Sequence, residues 1–180
     1  MIYMFLADGF EEIEALATLD ILRRADIQIK TVSVNGGSVC GAHNITVNAD
    51  ISLDDVDKSL LSGVILPGGM PGTTNLLKSK KVLDLVEYSY NSGFITCAIC
   101  AAPMILGELG ILDGRNATCY PGFEKYLKGA VVTQDLVAVS QNIITARGAG
   151  ATFLFGFKIV EMIKGEDVAL SLKGSMQCNE

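Results

Sequence analysis

Short apolar runs alternate along this chain with longer stretches that repeat every three to four residues, the pattern that parallel strands joined by crossover helices produce. Residues 2–7 (IYMFLA) form the first buried strand candidate. Residues 11–25 (EEIEALATLDILRRA) follow as a helix, with carboxylates in the first turn and arginines in the last, matched to the helix dipole at both ends. Residues 27–34 (IQIKTVSV) alternate with period two, and Gly36-Gly37 then leads to a second extended run at 45–47, which predicts a hairpin or edge excursion. The continuous run 64–67 (VILP) ends in Gly68-Gly69 and predicts a central parallel strand opening into a loop. Open α/β sheets place ligands at such strand ends.

Residues 79–91 (SKKVLDLVEYSYN) predict an amphipathic helix capped by Ser79 and closed by Gly93, followed by a strand at 94–99. A helix is expected over 101–109, with Pro103 tolerated in a first turn whose N–H groups lack intrahelical partners. The last third holds strand candidates at 116–120, 130–132, 136–139 and 143–146, an apolar helix at 150–165, and a short helix around 166–173. The fold expected is α/β, with a mostly parallel central sheet and helices on both faces. At 180 residues, without repeats, low-complexity tracts or linkers, positions 1–180 fit one domain. Hydrophobic residues make up 49% and charged residues 19%, enough apolar material to offset the conformational entropy of folding.

The net charge of −6 excludes the basic stripe that a backbone-binding nucleic-acid protein needs, and makes small polar or carbonyl substrates the expected partners. The apolar start breaks at Asp8-Gly9 with no basic leader, and no uninterrupted apolar run approaches the roughly 20 residues of a membrane span. A soluble, cytoplasmic protein is expected. Its five cysteines, Cys40, Cys97, Cys100, Cys119 and Cys178, then read as free thiols in a reducing compartment.

The strongest chemical signal is Cys97-Ala-Ile-Cys-Ala-Ala-Pro103, where an apolar strand becomes a helix. A nucleophile elbow is a strained strand-to-helix turn that needs small neighbours, supplied here by Ala98 and Ala102, and the helix start beyond it favours thiolate. The competing reading is that Cys100 is one more small buried hydrophobe. A redox pair with Cys97 is disfavoured, because strand alternation sets the two on opposite faces, and no second cluster has metal-ligand spacing. Gly69, beside Gly68, and Ala101 could each lend a backbone N–H to an oxyanion, although a glycine-rich segment can also be only a loop. Glu11, Glu12 and Glu14 all lie in one helical turn after the first strand; any of them could reach the cysteine, and all could equally be solvated acids serving the dipole. His43, the sole histidine, is expected on the surface of the extended excursion, away from the strand ends.

Four segments together resemble the ThiJ/PfpI superfamily, and within it the branch of the Parkinsonism-associated deglycase: FLADGFEEIEA at 5–15, VILPGGMPGTTNL at 64–76, ITCAICAAP at 95–103 and TARGAGATFLF at 145–155. They occur in family order and approximate spacing over nearly the whole chain. The resemblance implies a flavodoxin-like three-layer sandwich, a homodimer, and an oxidation-prone cysteine with a glutamate hydrogen-bonded to it. By motif these are Cys100 and Glu14, with Gly69 and Ala101 as oxyanion donors and Arg147 near the dimer-facing side of the site.

Two departures bear on chemistry. Many relatives carry histidine where this chain has Tyr120, so histidine-assisted proton transfer is not expected. The peptidase branch has histidine directly after its cysteine, and Ala101 stands there, so peptidase activity is not expected either. The resemblance implies cofactor-independent, metal-free conversion of reactive carbonyls or their adducts, of the glyoxalase or deglycase type. Its alternative is a redox-sensing or stress-protective protein whose Cys100 is oxidised without efficient turnover.

Overall fold

The computed structural model describes residues 1–178. In chain order its elements are β1 (Ile2–Leu6), α1 (Glu12–Arg24), β2 (Ile29–Ser33), β3 (Ser38–Cys40), β4 (Thr46–Asn48), β5 (Ile51–Ser52), β6 (Gly63–Leu66), α2 (Gly72–Lys78), α3 (Lys80–Asn91) and β7 (Ile95–Ile99). There follow α4 (Pro103–Glu108), β8 (Asn116–Ala117), β9 (Val131–Val132), β10 (Val137–Ser140), β11 (Ile143–Ala146), α5 (Thr152–Lys164) and α6 (Glu166–Ser175). Seven strands form one sheet in the order β10-β11-β7-β6-β1-β2-β5, parallel except for the β10–β11 edge pair. The expected α/β class with a mostly parallel sheet is what the chain adopts.

Alternation along each strand divides the core into two layers. In β1, Ile2, Met4 and Leu6 pack on the side of α1, α5 and α6, where they meet Ile21, Leu22, Phe155 and Val160. Tyr3 and Phe5 face the other side and meet Leu76, Val82, Val86 and Ile105 of α2, α3 and α4. Gly156 permits the close approach of α1 and α5, since a Cβ there would stand 2.7 Å from Cδ1 of Ile21. Burying a large aliphatic side chain stabilises by roughly 1.5–3 kcal/mol, so these two layers dominate the stability of the fold.

Several elements differ from the sequence reading. The segment after β6 is not all loop: α2 begins at Gly72 and buries Leu76 in the core. The strand candidate at 116–120 shrinks to Asn116–Ala117, which pairs only with β9 in a small separate parallel sheet. The two-residue β5 at the sheet edge escaped notice because it is too short to show a period. The predicted hairpin is present as β3–β4.

Chain order reverses between β1 and β6: β1 leads outward to β2 on one side, while β6 and β7 continue on the other. In open α/β sheets the binding crevice lies at the carboxyl ends of the strands beside such a switch. The connections after β1, β6 and β7 meet at that edge, and the one after β11 leaves from it as well. No helix among the described residues is long and apolar enough to cross a membrane.

Candidate active site

The three connections are laced together by backbone hydrogen bonds. Glu11 N–H donates to the Gly68 carbonyl at 2.9 Å, and Gly72 N–H donates to the Gly9 carbonyl at 3.1 Å. The lacing is tight enough to require glycine. A Cβ on Gly69, whose φ is +87°, would come closer than 3.0 Å to Glu11 N, Gly9 O and the Phe10 carbonyl carbon. This packing sets the Gly68-Gly69 loop over the N-terminus of α1 and beside the end of β7.

Cys100 follows the last residue of β7 with φ +64°, a left-handed conformation that costs a non-glycine residue energy and gathers at functional sites. Its N–H donates to Ala146 O at 2.9 Å, and its carbonyl accepts from Tyr120 N–H at 2.8 Å. The elbow is thus held from both sides. The fully buried Ala98 and Ala102 flank it as expected. Two details correct the sequence reading. Strand parity stops at Ile99, so Cys97 and Cys100 pack against the same apolar layer rather than opposite ones. In addition, α4 starts only at Pro103 and has six residues, so Cys100 is separated from it by the turn 100–102 and receives little from a helix dipole.

What the sulfur receives instead is specific: the backbone N–H groups of Ala101 and Gly69 hydrogen-bond to Cys100 and favour its thiolate. Glu14 projects from the first turn of α1 beneath it and is buried. Its Oε2 accepts the Gly68 N–H at 2.8 Å, while Oε1 has no closed hydrogen bond and the Cys100 thiol lies within its interaction range. Gly68 is the wall between them, since a Cβ there would be 2.6 Å from both Cys100 Cβ and Glu14 Oε2.

Burial raises the Glu14 carboxyl to about 7, against the hydrogen bonds from Cys100 and Gly68. Burial, and then the Glu14 charge, push the Cys100 thiol up to about 12, so the site resists losing both protons. It holds one negative charge shared by two groups. That charge rests on Glu14, the more acidic of the two, and the two N–H groups offered to the sulfur ease its passage to Cys100.

The three candidate acids separate in the structure. Only Glu14 meets the cysteine. Glu12, expected to be a solvated helix-dipole acid, is instead buried and clamps the β3–β4 turn to α1, accepting from His43 N–H (2.7 Å), Ile45 N–H (3.3 Å) and the His43 ring (2.9 Å). Burial alone would raise its pKa, and these donors outweigh burial and hold it below the usual range. Hydrogen bonds to a charged group contribute roughly 1.5–3 kcal/mol, so Glu12→Ala is expected to destabilise the protein by about 3 kcal/mol and to speed amide exchange over residues 41–45. Unchanged exchange there would refute the clamp. His43 is exposed as expected, but the excursion folds back so that its ring also lies 3.5 Å from Glu11 Oε1. Glu11, Glu12 and His43 are the one group among the described residues whose ligand atoms could hold a metal, all lying within 4.8 Å of one another.

Arg147 and Tyr120 do not touch the sulfur. Both line an open groove of about 370 Å³, with Pro121, Leu136 and the segment 148–151. The groove adjoins the elbow through the backbone and does not include Cys100 in its lining. Arg147 Nη1 donates to the Gln134 carbonyl (3.0 Å) and to its side-chain Oε1 (2.8 Å). None of the five cysteines is in a disulfide; Cys97 and Cys119 are buried, and burial raises the Cys119 thiol to about 11. The sequence reading missed the role of Glu12. Its signal was the small Gly41, where a Cβ would collide with the Glu12 carboxylate, but nothing in the sequence pairs those two positions.

Comparison with known proteins sets this geometry in context. Residues 1–162 match the DJ-1/PfpI family. Protein DJ-1 homolog B of Arabidopsis thaliana is 35% identical over 95% of this chain, which spans only 40% of that relative, and homolog A is matched over 43% of its length. A Caenorhabditis elegans protein named glutathione-independent glyoxalase DJR-1.2 is 32% identical, over 90% of this chain and 87% of its own length. The crystal structure of Drosophila melanogaster DJ-1beta superposes with a TM-score of 0.92 at 32% identity, covering 98% of this chain and 96% of that one.

Proposed function

The chain belongs to the DJ-1/PfpI family, and from that premise we propose that it is a cysteine-dependent enzyme acting on small reactive carbonyls, converting methylglyoxal to lactate or releasing such carbonyls from thiol and amine adducts. The observation that carries the reading is the pairing at the elbow. Glu14 has a buried carboxyl raised to about 7, poised to move protons at neutral pH, and it lies beside a sulfur offered two backbone N–H groups. A relative named as a glyoxalase supports the same direction.

In this reading the Glu14 carboxylate takes the Cys100 proton as substrate arrives, which leaves the charge on sulfur and Glu14 neutral. The sulfur attacks the aldehyde carbon: a C–S bond forms, the C=O π pair moves to oxygen, and Glu14 gives that oxygen its proton. As the sulfur loses its charge, the Gly69 and Ala101 N–H groups become free to bind the developing oxyanion. The Glu14 carboxylate then takes the hydrogen of C1 as a proton, giving an enediolate; the hydroxyl proton of the C1 oxygen passes to the C2 oxygen, and Glu14 returns its proton to C2. What remains is a lactoyl thioester on Cys100, which water cleaves to lactate. The net change adds one water; the aldehyde carbon is oxidised and the ketone carbon reduced within one molecule.

Rapid-quench mass spectrometry of the reduced protein with methylglyoxal is expected to show the lactoyl adduct on Cys100 alone. Modification spread over lysines and arginines, with Cys100 bare, would contradict the reading. A second reading, a peroxide sensor, is favoured by one observation: the orphaned Oε1 of a neutral Glu14 could donate to an oxygen of a sulfinate on Cys100. Selective oxidation of Cys100 by peroxide without measurable carbonyl turnover would select it.

A homodimer accords with the apolar patch of Ile13 and Ile45, 47% and 52% exposed, beside the clamp. Sedimentation equilibrium is expected to return the mass of two 19.1 kDa chains. The mass of one chain would refute the dimer.

A further inference from the structure

We propose that the groove bordered by Tyr120 and Arg147 is a carboxylate subsite, so that the preferred substrate is a small carbonyl compound, or a thiol adduct of one, that carries a carboxylate. The inference rests on Cys100 being the nucleophile. Its starting point is connectivity: Cys100 donates to the carbonyl of Ala146, the residue before Arg147, and accepts from the N–H of Tyr120, so the groove borders the elbow on both sides. Cys100 itself does not line the groove, so an occupant bonded to the sulfur would reach it only by extending past Tyr120 or Arg147.

Size and charge then narrow the occupant. At roughly 30 Å³ per water, the groove of about 370 Å³ would hold about twelve waters, and it sits near the small end of ligand pockets. A three-carbon dicarbonyl would leave most of it empty, whereas an adduct of amino-acid size would extend along it. The walls are largely apolar, with Leu136 and the Tyr120 ring exposed, and they contain no carboxylate.

Arg147 is the only cation among the lining residues. Its Nη1 is anchored on two neutral oxygens of Gln134, and no carboxylate pairs with it among the described residues. Two acids lie near: Asp135, between the Gln134 and Leu136 that Arg147 bonds to, and Glu124, which accepts the Gly122 N–H at 2.7 Å and whose charge, like that of Arg147, reaches Cys119. Neither lines the groove or forms an ion pair with Arg147. On the far side α5 begins without an acidic residue in its first turn. The guanidinium is therefore oriented without an ion pair to either acid, and its planar fork matches a carboxylate.

The test separates binding from chemistry. Calorimetric titration of Cys100→Ser, which performs no turnover, with N-acetylglycine and with its neutral amide is expected to show at least a 10-fold smaller Kd for the acid. Arg147→Met should abolish that preference while leaving the amide's Kd unchanged, and Arg147→Lys should restore part of it. On wild type, the methylglyoxal hemithioacetal of N-acetylcysteine should have a KM at least 10-fold below that of N-acetylcysteine amide, with kcat similar. Equal Kd values for acid and amide would overturn the subsite whether or not Arg147→Met folds. So would a preference that survives in Arg147→Met. If the acid is preferred but wild type turns over neither adduct, the carbonyl chemistry falls and the anion site stands.

Discussion

Glu14→Gln is expected to lower kcat for methylglyoxal by about 10²-fold or more, the usual cost of removing a positioned general acid–base. The substitution keeps the shape and the bond to Gly68 N–H but can neither take up nor give the proton. The two N–H donors to sulfur are untouched. Alkylation of Cys100 by iodoacetamide should therefore change much less than turnover, within about 10-fold, which separates proton transfer from nucleophilicity. Stability should move the other way. The carboxyl titrates at about 7 in the folded chain against 4.5 for the free group, so the folded state binds more protons between those values. Wild-type stability is fully present below pH 4.5 and is lost as pH rises through 7, by about 3 kcal/mol at 1.36 kcal/mol per unit. Glu14→Gln removes that slope, so the variant should gain on wild type from pH 5 to pH 8 in denaturant titrations. Turnover lost in parallel with alkylation, or an unchanged pH slope, would place the proton shuttle elsewhere.

Gly69→Ala is expected to be the most damaging single methyl in the loop. Its left-handed φ costs roughly 1–2 kcal/mol for a residue with a Cβ. That Cβ would also press on backbone atoms of residues 9–11, which cannot rotate away, and overpacking of this kind costs about 1–3 kcal/mol. Together the loss is about 2–5 kcal/mol, or a fall in Tm of roughly 5–20 °C for a chain of this size. Gly36→Ala provides the comparison: its φ is also positive, at +82°, but a Cβ there meets nothing within 4 Å, so only the backbone cost of about 1–2 kcal/mol should be seen. Equal losses in the two variants would show that the lacing of the β1 and β6 connections is looser than the structure has it.

Much of this architecture was legible because it is local. The alternation of Ile2, Met4 and Leu6 against Tyr3 and Phe5, and the apolar run ending at Gly68-Gly69, report two periodicities that sequence carries directly. Cys100 could be singled out because an elbow needs small residues at defined offsets. Glu14 could not be separated from Glu11 and Glu12 by chemistry, since all three occupy one turn; only the four-motif resemblance chose it, and the structure then set it alone beneath the sulfur. Glu12 shows the complementary failure. Its partners, His43 and Ile45, lie more than thirty positions away, and a clamp formed across such a separation leaves no periodic trace. Elements of two residues, such as β5 and β8, are set by tertiary pairing rather than by their own composition. The helix dipole expected to activate Cys100 also failed, because Pro103 sets where the short α4 begins and leaves a turn between it and the cysteine.

The central claim is that Cys100 is the nucleophile of a carbonyl-converting enzyme. The most direct test is lactate formation from methylglyoxal by fully reduced wild type and by Cys100→Ser, with lactate and remaining methylglyoxal both quantified. Wild type should form one lactate per methylglyoxal consumed over many turnovers, and Cys100→Ser should fall by at least about 10³-fold, as expected when a covalent nucleophile is lost. Lactate formed at similar rates by both proteins, or none formed by wild type, would contradict the account.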